Sequence, residues 1–359
     1  MGPAAAMSTK PDAATALIPS ASALVREEPS RLERASLHQL THVGVATSVI
    51  LSLMVSGVAF FPAVLLAGLA TFGGVYWMVT RPIVHFRKGH YRRALALTRK
   101  IRDGGWLVKA HGDWQLVEAV CLIALGENER AKELLHTAKS ADLSRQASHA
   151  RVLDLAILYC RITEPQSALT ILDELDPTGL PPFFRANYHA IRASAQFLKE
   201  ADDEALAELN RAREVGLPRE LEPGCLSLTA LVAYEGKGDR EGAIAMSRKA
   251  VAALPEVDAL RAPVIVNHAY LVLDCTGDIQ AALDAVGQAV GHETELGASG
   301  RALYHYVLAR CYVESRMLAD VREHLDEALE QPVSPRLRRR IEHLDEQVRS
   351  GRALLTSDE

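Results

Sequence analysis

The residues of this chain that could do chemistry are its cysteines, two histidine–carboxylate phrases and two glycine-rich turns. The cysteines stand at 121, 160, 225, 275 and 311, in apolar stretches, with no CxxC pair among them. Zinc sites draw their ligands from short fixed spacings, which these are not, so the cysteines read as small buried hydrophobes kept reduced. The phrase Glu323-His324-Leu325-Asp326-Glu327 recurs as Glu342-His343-Leu344-Asp345-Glu346. Its side chains could hold a metal, but on helices they read as solvated charges. Gly236-Lys237-Gly238-Asp239-Arg240-Glu241-Gly242 has the glycines of a nucleotide loop without its final spacing, and no strand precedes it. It reads as a turn between helices. Ser299, in Gly297-Ala298-Ser299-Gly300, is expected in a connecting loop and has no evident base. There is no HExxH, GxSxG or GxxxxGK[ST]. The expectation is a protein that is not an enzyme and uses no cofactor or metal.

What, then, would position any site at all? The chain has 359 residues, with 40 Lys+Arg against 45 Asp+Glu and a net charge of −5. That balance argues against a dedicated nucleic-acid binder. Aromatics are only 5% while Ala, Leu, Arg and Glu abound, a helix-forming composition. Residues 1–42 read as a disordered or weakly helical tail. From Val43 to Thr80 no charged residue or histidine occurs. One helix of that length would extend about 57 Å, far beyond a bilayer's hydrocarbon core. Two helices turning at Ser56-Gly57 through Phe60-Phe61-Pro62 fit better, so 43–80 is expected to be a transmembrane helical hairpin. Gly44, Ser48, Ser52 and Ser56 line one arm with small residues and Ala63, Ala67, Ala70 and Gly74 the other, which lets two membrane helices approach. A buried core hairpin is the competing reading; the lack of any polar face argues against it. Arg81, Arg87, Lys88, Arg92 and Arg93 follow the block, and arginines precede it, so both termini are expected in the cytoplasm. This basic flank suits anionic lipid headgroups. The expected location is a membrane, of the bacterial inner-membrane type.

The remainder repeats. Small residues anchor successive units at Ala94, Ala131, Ala168, Ala205, Ala243, Ala282 and, less well, Val321, separated by 37, 37, 37, 38, 39 and 39 residues. Gly89, Gly126, Gly238 and Gly277 stand five residues before their anchors, and Thr163 takes that place in the third unit. Seven residues after the anchors come Ala138, Ala212, Ala250, Ala289 and Ala328, and Pro255 follows Ala250. Glycine permits the tight turn, and the alanines let paired helices approach. This pattern resembles the tetratricopeptide repeat (TPR). The fold expected is all-α: a TPR-like α-solenoid of about seven helix-pair units over 81–332, preceded by the transmembrane hairpin. A polar capping helix over 333–350, with Arg336, Arg338, Arg339 and Arg340 exposed, and a tail at 351–359 complete the chain.

The resemblance implies a function. In tetratricopeptide domains the first helix of each pair lines a concave face. Carried over by repeat position, Asp154, Arg161, Asn187, Glu235, Asn267, His268, Asp274, Arg310 and Glu314 point into the groove and contact a protein or peptide partner. The family's clamp for a C-terminal carboxylate is absent, since its Asn positions hold Val117, Asp154, Ile191, Thr229, His268 and Val307. The expected role is a membrane-anchored adaptor or scaffold. The alternative is a regulatory or substrate-handling subunit of a membrane enzyme or secretion complex.

Overall fold

The computed structural model describes residues 80–350 apart from 87, 105–110, 139–142, 256–260, 291 and 293–295. The expected tail at 1–42, the C-terminal tail at 351–359 and the hairpin at 43–80, except Thr80, lie outside the described residues. Among the described residues no helix is long and apolar enough to cross a membrane.

A short helix covers 80–86. Fourteen further α-helices follow among the described residues: α1 Tyr91–Asp103, α2 His111–Ala124, α3 Asn128–Thr137, α4 Arg145–Arg161, α5 Pro165–Leu172, α6 Pro182–Leu198, α7 Asp202–Val215, α8 Glu222–Lys237, α9 Arg240–Ala252, α10 Arg261–Thr276, α11 Ile279–Gly287, α12 Ala298–Glu314, α13 Leu318–Glu330 and α14 Pro335–Arg349. No strand occurs among these residues.

The local chemistry of the turns sets this order. All seven positions five residues before an anchor have positive φ: Gly89 73°, Gly126 74°, Thr163 61°, Glu200 65°, Gly238 64°, Gly277 69° and Arg316 59°. Left-handed backbone ends one helix within a residue or two of where the next begins. After Gly238 and Gly277, an aspartate caps the following helix: Asp239 accepts from the Gly242 N–H and Asp278 from that of Ala281, each at 2.9 Å. The Gly-Asp phrase is thus a helix stop followed by a helix start. Proline opens α5, α6 and α14, where its missing N–H costs nothing.

The anchors do what their size suggests. Ala94, Ala131, Ala168, Ala205, Ala243, Ala282 and Val321 are all fully buried, as are Ala212, Ala250, Ala289 and Ala328. The sequence expectation that Val321 is a poorer anchor does not show in its burial.

Contacts divide the chain into two units. In the smaller, within 21–122 and 130–151, Glu118 on α2 is buried and accepts from Arg99 Nε at 2.7 Å and from Arg102 Nη1, both on α1. The larger holds the described residues of 123–129 and 152–350. Its helices stack regularly. α8 and α10 each pack on the second helix of their own pair, on the second helix of the preceding pair and on the first helix of the next. α14 packs on α12 and α13. The core so formed draws on Leu231, Ala243, Ile265, Val286, Val307 and Leu325, one from each of α8 to α13.

Candidate functional site

Within the larger unit, residues eight positions before successive anchors fall in line. These are Phe197, Glu235 and Asp274, at the ends of α6, α8 and α10. Beside them Tyr234, Tyr270 and Tyr306 form a ladder, with centroids 6.0 Å apart for the first pair and 6.3 Å for the second. The side chains of Glu235 and Asp274 are 8% and 3% exposed. Burying two carboxylates costs several kcal/mol each unless every oxygen finds a partner.

The partners are present. Asp274 accepts from Tyr234 Oη at 3.0 Å, from Arg340 Nη1 at 2.9 Å and from Arg310 Nη1. Glu235 accepts from Arg340 Nη2 at 3.0 Å and from Tyr270 Oη. The Arg340 guanidinium also lies 5.7 Å and 5.6 Å from the Tyr234 and Tyr270 ring centroids, within cation–π range. Burial, followed by the Asp274 carboxylate, pushes the Tyr234 phenol up to about 12. Burial and then Glu235 drive Tyr270 further still in the same direction. Burial works against the charge on Arg340, but Tyr270, Glu235 and Asp274 together outweigh it and hold the guanidinium above its ordinary range.

Arg340 belongs to α14, and its neighbours on that helix follow suit. Arg336 forks onto Asp202, at 2.7 and 3.2 Å, and lies over the Phe197 ring at 5.4 Å. Arg339 donates to Glu200 at 2.8 Å. Just before α14, the Pro332 carbonyl accepts from the Thr163 hydroxyl at 2.9 Å, 169 residues away in sequence. This corrects the expectation of exposure for Arg336 and Arg340, whereas Arg339 remains exposed as expected. The carboxylates that Arg336 and Arg340 reach lie on other helix pairs, and a paired guanidinium in a shielded groove outweighs a solvated one.

Beneath α14 lies a cavity of about 160 Å³. Leu228, Leu231, Val264, Leu303 and Leu337 give it apolar walls, and Ser227 and Asn267, bonded to each other at 3.0 Å, a polar edge. Arg161 also lines it, 3% exposed, with Nε and Nη1 buried and without a hydrogen-bond partner. Burial, assisted by the like charge of Arg301, lowers the Arg161 guanidinium to about 9. Ser299, expected in a loop, stands in the first turn of α12 and lines the same cavity, because the chain turns helical directly after Gly297.

The nine groove residues expected from the repeat therefore separate. Arg161, Glu235 and Asn267 line the cavity. Asp274 and Arg310 join Glu235 through the ion network, and Glu314 stands 3.7 Å from Arg310 at its margin. Asp154 and Asn187 are buried away from the cavity, and neither amide atom of Asn187 has a partner. His268 turns toward α9, where Nδ1 meets the hydroxyl of buried Ser247. The charged group acting on that ring is Arg248 rather than a carboxylate. Sequence reasoning missed Arg336, Arg340, Asp202 and Glu200 as groove residues. The signal was there in part, since 336 and 340 share a helix face one turn apart. Among the described residues no three potential metal ligands of the His, Cys, Asp or Glu types converge. Four cysteines are buried and Cys275 is half-buried; none is paired.

No protein-family model matches the chain, and no curated protein does. Among solved structures it is similar to the crystal structure of the APC/C hetero-tetramer Cut9-Hcn1, with 13% identity and a TM-score of 0.46. That match covers 76% of this chain and 55% of the other, so the chain spans about half the length of the protein it matches.

Proposed function

We propose that this protein is a non-enzymatic TPR-type adaptor whose groove engages an arginine-bearing helical segment of a partner protein. The observation that carries the reading is the seating of α14. Two arginines one helical turn apart, Arg336 and Arg340, neutralise Asp202, Glu235 and Asp274 on other helix pairs. A surface with that charge and spacing suits a basic helix, whether it comes from this chain or another. The stacked pairs, the constant repeat and the buried anchors support the TPR-type scaffold. In this reading the hairpin at 43–80 holds the adaptor at a membrane with both termini cytoplasmic. Arg81, Arg87, Lys88, Arg92 and Arg93 then face the lipid headgroups.

A labelled peptide of residues 333–350 tests the groove. Added to the full chain carrying Arg336→Ala and Arg340→Ala, which loosens its own helix, the peptide should bind at least tenfold more tightly than to the unaltered chain. A peptide with glutamate at both arginine positions should not bind. Equal binding of the two peptides, or none to the loosened chain, removes the groove as a docking surface for basic helices. The anchor is tested separately, by whether alkaline carbonate leaves the full chain in membranes and releases a chain lacking 43–80.

A further inference from the structure

We propose that the cavity beneath α14 binds a small organic acid, with its carboxylate on Arg161 and its apolar body against the leucine wall. The buried carboxylates of the groove have their cations, whereas this buried cation has no anion. Arg161 Nε and Nη1 are sequestered without partners, and the charged group beside it is a second arginine, Arg301. The guanidinium still carries its charge at neutral pH, because burial lowers it only to about 9. An unpaired buried charge is among the least stable features a fold can hold, and an anion would relieve it.

A second feature points the same way. The N-terminus of α12 opens at Gly297 with no side-chain cap, and Gly297, Ser299 and Gly300 line the cavity. Gly297 sits against Arg161 so closely that a Cβ there would be 3.3 Å from the Arg161 carbonyl oxygen. Uncapped backbone N–H groups and the helix dipole add positive potential beside the guanidinium. Arg336 and Arg340 also line the cavity, but Asp202, Glu235 and Asp274 already hold them. Arg161 is therefore the cation left for a ligand.

The walls set the rest of the ligand. A dry apolar cavity of about 150 Å³ takes a guest the size of benzene. This one, at about 160 Å³, suits an aromatic or branched body of that size. Inorganic phosphate would satisfy the cation but leave the leucine wall uncovered, and it would lose far more hydration on entry. The inference goes beyond the adaptor reading and does not depend on it, since an acid can bind whether or not a partner helix does.

The test is calorimetric titration of the full chain with benzoate, benzamide and inorganic phosphate. Benzoate should bind saturably at one site. Benzamide, the neutral isostere, should bind at least tenfold more weakly, and phosphate should not saturate. Arg161→Met should weaken benzoate at least tenfold. Leu303→Phe, which narrows the cavity and leaves the cation in place, should do the same and supplies the test if the first variant does not fold. Benzoate that fails to saturate, equals benzamide, or survives both substitutions overturns the proposal. Phosphate binding as tight as benzoate also overturns it.

Discussion

Along the seam between neighbouring helices, Ala205, Ala243 and Ala282 fill their places with a single methyl group each and no polar atom. Across the groove, Glu235, Asp274 and Arg340 meet from three helices and fill theirs with charge. The alanines and the two carboxylates are buried, and Arg340 is half-buried over them. The seam excludes water by closeness, and any helix pair with small residues at that spacing would form it. The groove excludes water only while each charge has its partner, and one of those partners lies 66 and 105 residues away along the chain. Stability is thus local and repeated in the seam, and singular in the groove.

The groove should be the easier of the two to break. Asp274→Ala removes the acceptor shared by Arg310, Arg340 and Tyr234, leaving Arg340 with Glu235 alone and Arg310 with only Glu314 at its margin. The expected loss is about 3 kcal/mol in urea unfolding, the lower end of what removing one member of a buried pair costs. Asp274→Asn, which keeps one acceptor oxygen, should lose less. If both variants match the unaltered chain, the network is a surface feature and the contrast disappears.

The seam should yield next. Ala243→Leu forces three more carbons between α8, α9 and α10, at an expected cost of about 1–3 kcal/mol. Lys237→Ala, at the exposed end of α8, should stay within about 0.5 kcal/mol. Similar melting of these two variants would mean that the repeat register is misplaced.

These two regions were legible to different degrees. Ala94 through Val321 could be placed from spacing alone, because packing of adjacent helices depends on residues that are neighbours in sequence. Glu235, Asn267, Asp274 and Arg310 could be placed on the first helices for the same reason. Their company could not. Arg336 and Arg340 read as cap residues since Glu342, Asp345 and Glu346 nearby suggest a solvated helix, and only the folded chain carries them to Asp202, Glu235 and Asp274. Asn187 is buried and off the cavity, and a position in the repeat, which fixes a helix face only to within about one residue, does not give that depth. Glu200 and Arg316 show a further limit: the left-handed turn persists where glycine does not, so a search for glycine finds only part of the repeat.

That turn gives a smaller effect. Gly277→Ala places a Cβ that meets nothing within 4 Å, so any loss comes from the φ of 69° alone. The expected cost is about 1 kcal/mol. Arg316→Gly, in the opposite sense, should gain about 0.5 kcal/mol, since relief of φ is offset by the entropy of the unfolded glycine. Thr163→Gly should gain less than that or lose, because the Thr163 hydroxyl also holds Pro332 at the groove's edge. Thermal unfolding of the three variants would rank them. A Thr163→Val variant as stable as the unaltered chain would show that the Pro332 contact contributes nothing.

The smallest effect expected is also the one that separates seam from groove at a single residue. His268 was assigned to the groove by repeat position, yet it meets Ser247, which lies between Ala243 and Ala250 on the seam face of α9. There, burial and then the positive charge of Arg248 lower the imidazole below its ordinary 6.5. The neutral ring is therefore favoured in the folded chain, and the unfolded chain binds the extra proton first as pH falls. Stability should be unaffected above pH 6.5, fall as pH drops from there through the folded value, and level off once both states are protonated. His85, His149 and His324 are lowered by burial too and contribute to the same slope. The difference between the unaltered chain and His268→Gln isolates one residue from that sum. Urea midpoints at pH 7.5 and pH 5 should lie closer together in the variant. If the two chains lose the same stability between those pH values, His268 is as open to water as a groove residue, and the seam does not extend to it.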